Sequence, residues 1–222
     1  MRGDGRLAAR SVCLGILVFV CGWTLMMLEM LGARILAPCF GSDVYVWGSV
    51  IGVFLLALSV GYYAGGQLSA RSPHATTLVV LIVCCAIWLG ALPLVHRPFS
   101  DWMFDWWVAG HGGEDKWGSL MSAVALFLVP SVLLGTVSPF AIRLAATDVG
   151  SVGEKAGSLY AVSTIGSFLG CMMTSFYLIM WMGINRIIEV HAAVLLLTAL
   201  AFGGAWSVLS RPKTPAQSEP RR

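Results

Sequence analysis

The chain has 222 residues, of which 58% are hydrophobic and only 11% charged, with a mean hydropathy of +0.82. A soluble domain is about 45–50% apolar and about 25% charged, so a water-covered fold, a disordered chain, a coiled coil and a disulfide-stapled module are excluded. The net charge of +3 is too small for nucleic-acid binding, and the composition is that of an all-α integral membrane protein whose first partner is the lipid bilayer.

A helix needs about 20 mostly apolar residues to cross the hydrocarbon core, and six stretches reach that length. Residues 1–11 form an N-terminal tail carrying Arg2, Arg6 and Arg10. The first span, Val12–Leu36, passes Met26 and Met27 without an early small-x-small site, so it is read as a retained helix rather than a cleaved leader. The second and third spans fall at Val46–Gly66 and Ala75–Val95. A loop over about 97–118 follows, with Trp102, Trp106, Trp107 and Trp117 among Asp101, Asp105, Glu114 and Asp115. The remaining spans are Ser119–Ile142, Gly157–Met180 and Ile187–Ser207, giving a transmembrane domain over 12–207 and a tail over 208–222. No alternation at period two marks a barrel.

With the N-terminus inside, ten of the fourteen basic residues lie on the cytoplasmic side, leaving Arg34, Arg97, Lys116 and Arg186 outside. Both termini are therefore expected in the cytoplasm, in a multi-pass protein of the inner (cell) membrane, with the tryptophan-rich loop along the outer interface. The six cysteines form no CxxC or Cys/His spacing, so neither a metal site nor a disulfide framework is expected. No Walker motif or nucleophile elbow occurs, Gly3-Asp4-Gly5 has no strand before it, and no cofactor is implied.

A shift of 109 residues places Arg34, Gly41, Ser42, Gly48, Ser49 and Gly61 on Arg143, Gly150, Ser151, Gly157, Ser158 and Gly170. It also carries spans one to three onto spans four to six. Three spans per copy is odd, so the second copy would insert upside down, a 3+3 inverted-topology repeat of the kind built into transporters. Chance identity in a glycine-rich chain is the competing explanation. The pairs Gly48/Gly52, Gly61/Gly65 and Gly166/Gly170 allow close helix approach, which points to a central core made of spans two and five.

Ionisable groups inside a span are costly and read first as functional. Glu29 lies deep in span one, and Arg34 points about 140° away from it on a straight helix. Arg186, Glu189 and His191 begin span six, and Arg143 is the repeat equivalent of Arg34. These six are the candidate intramembrane polar or substrate-site residues, and those of spans one and six, Glu29, Arg34, Arg186, Glu189 and His191, are expected at a pocket open to the outside. Snorkelling to headgroups is the plainer reading for Arg34, Arg186 and Glu189, and a satisfied interior imidazole is the plainer one for His191. Pro130 and Pro139 in span four are read as kinks or as breaks lining a site.

The run Glu29-Met30-Leu31-Gly32-Ala33-Arg34-Ile35-Leu36-Ala37-Pro38-Cys39-Phe40-Gly41-Ser42 is followed by Trp47-Gly48-Ser49 and Leu58-Ser59-Val60-Gly61-Tyr62-Tyr63-Ala64-Gly65-Gly66. A second block holds Pro130, Leu133-Leu134-Gly135, Ser138-Pro139, Gly157-Ser158-Leu159-Tyr160-Ala161 and Gly166-Ser167-Phe168-Leu169-Gly170. From about Gly22 to Gly183 the chain resembles the membrane-embedded half of spermidine-synthase-like membrane proteins, the fused MFS/spermidine synthases. In that family a cytosolic aminopropyltransferase-type domain follows the spans, and its Gly-rich loop and acidic residues have no counterpart here.

The resemblance therefore implies a non-catalytic membrane partner or anchor for a separate soluble spermidine-synthase-like subunit, rather than an enzyme. A stand-alone transporter for a polyamine or other cation, using Glu29 and Glu189 as counter-charges, is the second expectation. A structural subunit docked to other membrane proteins through the tryptophan-rich loop is the third.

Overall fold

The computed structural model describes residues 2–146 and 152–210. Within them, six helices are long and apolar enough to cross a membrane, and no strand occurs among the described residues. They are α1 (Arg2–Phe40), α2 (Val44–Arg71), α3 (Ala75–Met103), α4 (Asp115–Ala145), α5 (Val152–Met173) and α6 (Ile184–Leu209). The all-helical, six-span architecture follows from the bilayer requirement that every backbone group be bonded within its own segment.

The helices run past their apolar stretches. The 39 residues of α1 extend about 58 Å at 1.5 Å each, so helix continues through the N-terminal segment read above as a tail. Gly41 ends α1 with a positive φ of 77°, and its N–H returns to the Ala37 carbonyl at 2.9 Å, a left-handed cap that glycine adopts without strain.

The largest departure from the sequence reading is at 97–118. There α3 runs to Met103 and continues as a π-helical turn over Phe104–Ala109, leaving residues 112–114 as the break before α4. Side chains spaced by three or four residues hold this extension. The rings of Trp102 and Trp106 stack at 5.9 Å with 12° between planes, and Phe99 sits 5.8 Å from Trp102. A second π-helical stretch, Thr174–Leu178, and a final turn, Ile179–Trp181, extend α5.

Neither proline breaks α4, which is continuous through Pro130 and Pro139. Pro130 has no N–H to offer the Leu126 carbonyl, and Trp88 of α3 supplies the donor instead, its Nε1–H reaching Leu126 O at 3.2 Å. The proline thus ties α4 to α3.

The core is built around α1 and α4, the most buried spans. It differs from the expected α2–α5 core: α2 packs along α4, α5 along α1, and α3 along α6. Large side chains fill the centre, with the rings of Phe54 and Phe127 at 5.9 Å. The expected packing glycines divide by position. A Cβ at Gly61 would lie 2.6 Å from the Val132 carbonyl oxygen, and one at Gly65 2.7 Å from Thr136 Cα. Gly166 presses on the Phe19 carbonyl and Gly170 on that of Trp23. Gly48 and Gly52 meet nothing within 4 Å; they lie exposed on another face of α2 from Gly61, while Ser49 between them still reaches Ser119 of α4 at 3.3 Å.

Under the 109-residue shift Gly61 falls on Gly170 and Val132 on Trp23, so two of the closest backbone approaches are the same contact in each half. Exchanging α1 with α4, α2 with α5 and α3 with α6 also maps the main packing pairs onto one another. The packing thus has the symmetry that the sequence register requires. Gly150 and Ser151 of that register lie outside the described residues.

Candidate functional site

The six candidate polar residues do not form one site. Glu29 is half-buried on α1, about 7.5 Å along the axis from Arg34. Arg186 and Glu189 are exposed and pair with each other one turn apart, Arg186 Nη1 to Glu189 Oε2 at 3.3 Å. Such an exposed pair contributes at most about 1 kcal/mol, and each spends its charge locally. Arg143 is exposed in the last turn of α4, at the opposite end of the bundle.

His191 is buried, and both of its ring nitrogens are occupied. Trp23 Nε1–H donates to His191 Nε2 at 2.9 Å, and His191 Nδ1 reaches the Ile187 carbonyl at 2.8 Å. Since Nε2 accepts, the proton must sit on Nδ1, which fixes one neutral tautomer. His191 therefore joins α6 to α1 and has no free valence for a ligand.

Only Arg34 reaches a cavity. At the tryptophan-rich end of the bundle, α1, α3 and the start of α6 frame an open space of about 480 Å³, within the ordinary range for small-molecule sites. Its rim carries Arg34, Arg97 and Asp101, all exposed. Its deeper wall carries His96 and Ser100, which are 6% and 1% exposed. Asn185 and Cys39 complete the polar lining.

The local bonding leaves much of this lining unspent. His96 Nε2–H donates to Asn185 Oδ1 at 2.8 Å, joining α3 to α6. Cys39 Sγ–H donates to Asp101 Oδ1 at 3.2 Å, joining α1 to α3. His96 Nδ1 and Ser100 Oγ are buried with no partner. A buried polar atom left unbonded costs about 1–3 kcal/mol, and the two residues that carry these atoms both line the same cavity. Two guanidiniums and one carboxylate share the cavity without an ion pair among them in the described residues.

The residues that reading the sequence missed, His96, Arg97, Ser100 and Asp101, sit at i, i+4 spacing on α3. That spacing was visible in the chain. It carries no meaning as long as residues 97–118 read as a loop.

A second, smaller crevice of about 90 Å³ lies mid-bundle between α1, α2, α4 and α5. Hydroxyls of Tyr62, Ser138, Tyr160 and Ser163 face it, beside Leu25 and Leu134, which are equivalents under the 109-residue shift. It has room for a few waters. No grouping of three metal-ligating side chains occurs among the described residues. Comparison with family models, curated proteins and solved structures finds no match to this chain.

Proposed function

We propose that the chain is a non-catalytic, multi-pass membrane module that accepts a small polar solute in the cavity framed by α1, α3 and α6. The observation that carries this reading is a cavity lined by two guanidiniums, a carboxylate and hydrogen-bonding side chains at one end of a bundle in which no Asp, Glu, Lys or Arg is fully buried among the described residues. The distribution of basic residues supports a tryptophan-rich end on the outside and both termini in the cytoplasm, in a multi-pass protein of the inner (cell) membrane on this reading. The repeated packing pattern favours a transporter-like, inverted-repeat device over a simple anchor, since sites in such folds form between elements that can rock against one another.

The test is water access. In sealed vesicles, Ser100→Cys should react with a membrane-impermeant thiol reagent added on the side opposite the termini, whereas Ser131→Cys, inside the bundle, should not. A Ser100→Cys thiol that stays unreacted from both sides excludes a solute-accepting cavity.

A second reading has support from the resemblance to spermidine-synthase-like membrane proteins. Its motif glycines Gly61, Gly65, Gly166 and Gly170 occupy close helix approaches, so the shared residues are among those that shape this bundle. On this reading the module serves a separate aminopropyltransferase-like subunit at the cytoplasmic face and itself handles a polyamine. Co-purification decides it: a chain that elutes alone from cells containing such a subunit removes this alternative. A polyamine in the cavity would face Arg34 and Arg97 against Asp101 alone, because Glu29 and Glu189 lie elsewhere.

A further inference from the structure

We propose that the cavity between α1, α3 and α6 binds a zwitterionic group, an oxyanion together with an ammonium, as carried by free amino acids and by ethanolamine phosphate headgroups. This rests on the solute-accepting reading of the same cavity and names the chemistry it selects.

The lining divides into donors and acceptors that no protein group uses. Arg34 and Arg97 each present a guanidinium with several N–H donors and no acceptor capacity, the geometry suited to carboxylate or phosphate oxygens. Ser100 adds an unpartnered hydroxyl from the buried wall. Against these stand two acceptors. Because His96 Nε2–H is committed to Asn185 Oδ1, the neutral ring leaves Nδ1 as a lone pair, buried and unbonded. Asp101 accepts the Cys39 thiol through Oδ1, which leaves its other oxygen for a ligand donor.

A ligand with oxygens alone would leave His96 Nδ1 and the Asp101 carboxylate facing like partners. One with nitrogens alone, such as a polyamine, would meet two uncompensated guanidiniums. A group bearing both an oxyanion and N–H donors satisfies every unspent atom, and it leaves the cavity with the net single positive charge of two arginines and one aspartate. Partial exclusion of water between apolar helices strengthens each of these contacts relative to bulk solvent.

The chemistry has two sources, a free solute or the headgroup of a neighbouring phospholipid, and one experiment separates them. Cys39 lines the cavity and reports occupancy through its rate of alkylation, read by peptide mass spectrometry on the full chain. One arm adds L-alanine or O-phosphoethanolamine to protein in nanodiscs of phosphatidylcholine. The other replaces part of that lipid with phosphatidylethanolamine and adds no solute. At about ten times its dissociation constant a ligand slows the modification about tenfold.

Protection by the soluble zwitterions supports a free solute. Protection only with phosphatidylethanolamine supports a headgroup. In either case Arg34→Gln and Arg97→Gln should abolish protection, read for each variant as the ratio of its own rates with and without the zwitterion, because a guanidinium beside Cys39 also acts on the reactivity of the thiol. Three outcomes overturn the assignment: no protection in either arm, protection that survives both arginine variants, or equal protection by phosphocholine, which has no N–H. If Ser100→Cys still labels from outside in those cases, the cavity stands and only its ligand class is wrong. If Ser100→Cys is silent, both fall.

Discussion

Gly61→Ala tests the packing directly, because the added atom has nowhere to go. Its Cβ would sit 2.6 Å from the Val132 carbonyl oxygen and 3.0 Å from Gly135 Cα, where uncrowded contacts lie at about 3.5 Å. Relief requires α2 and α4 to part by just under about 1 Å along their longest contact. Overpacking of this size costs about 1–3 kcal/mol, offset by about 1 kcal/mol from the better helix propensity of alanine. The net loss should be up to about 2 kcal/mol, seen as a fall of up to about 8 °C in the thermal midpoint in detergent. Gly170→Ala should match it, since the same contact recurs against Trp23, and the two losses should add to within about 0.5 kcal/mol. Gly52→Ala, with open space around it, should be neutral or stabilising by up to about 1 kcal/mol. Equal midpoints for Gly61→Ala and Gly52→Ala would refute both the close α2–α4 approach and the division of the glycines.

Other substitutions probe single bonds. Trp88→Phe should cost about 1–2 kcal/mol by orphaning the Leu126 carbonyl, and that cost should shrink in a Pro130→Ala background, where the restored helical N–H takes over; chemical unfolding of the double-variant cycle reads the coupling, and no coupling contradicts the bond. His191→Ala should cost about 1–3 kcal/mol by stranding the Trp23 indole N–H, while His191→Gln keeps an acceptor and should recover part of it in the same assay. Glu189→Gln should alter stability by less than about 1 kcal/mol, as expected of an exposed pair; a larger loss in thermal unfolding would show that Glu189 has a partner beyond Arg186.

The sequence made the helices legible because bilayer thickness and backbone bonding leave little choice once six apolar runs are present. The repeat register was legible too, and the matching Gly61–Val132 and Gly170–Trp23 approaches give it a physical meaning. What periodicity could not provide was which helix each small residue meets. Gly48 and Gly61 read alike in the chain, yet of the two only Gly61 presses on the α4 backbone.

The polar site was misjudged for a related reason. Charge inside an apolar run drew attention to Glu29 and Glu189, but local geometry ties Glu189 to Arg186 and leaves Glu29 outside the cavity. The groups that do converge, His96, Ser100 and Asp101, lie beyond the apolar run. That stretch reads as a loop in the sequence, although α3 continues through it with Pro98 inside the helix. Aromatic stacking at Trp102 and Trp106 extends the helix past the point where hydropathy fades.

A cysteine scan of residues 92–103 in sealed vesicles tests most directly whether α3 continues as a helix and forms one wall of a water-filled cavity. The expected result is helical periodicity: reaction with an impermeant reagent at 97, 100 and 101, which line the cavity, and silence at Leu92 and Met103, which are buried and take no part in its lining. Uniform reaction along 97–103 would mean a solvated loop and no cavity wall, and uniform silence would mean that no water reaches it.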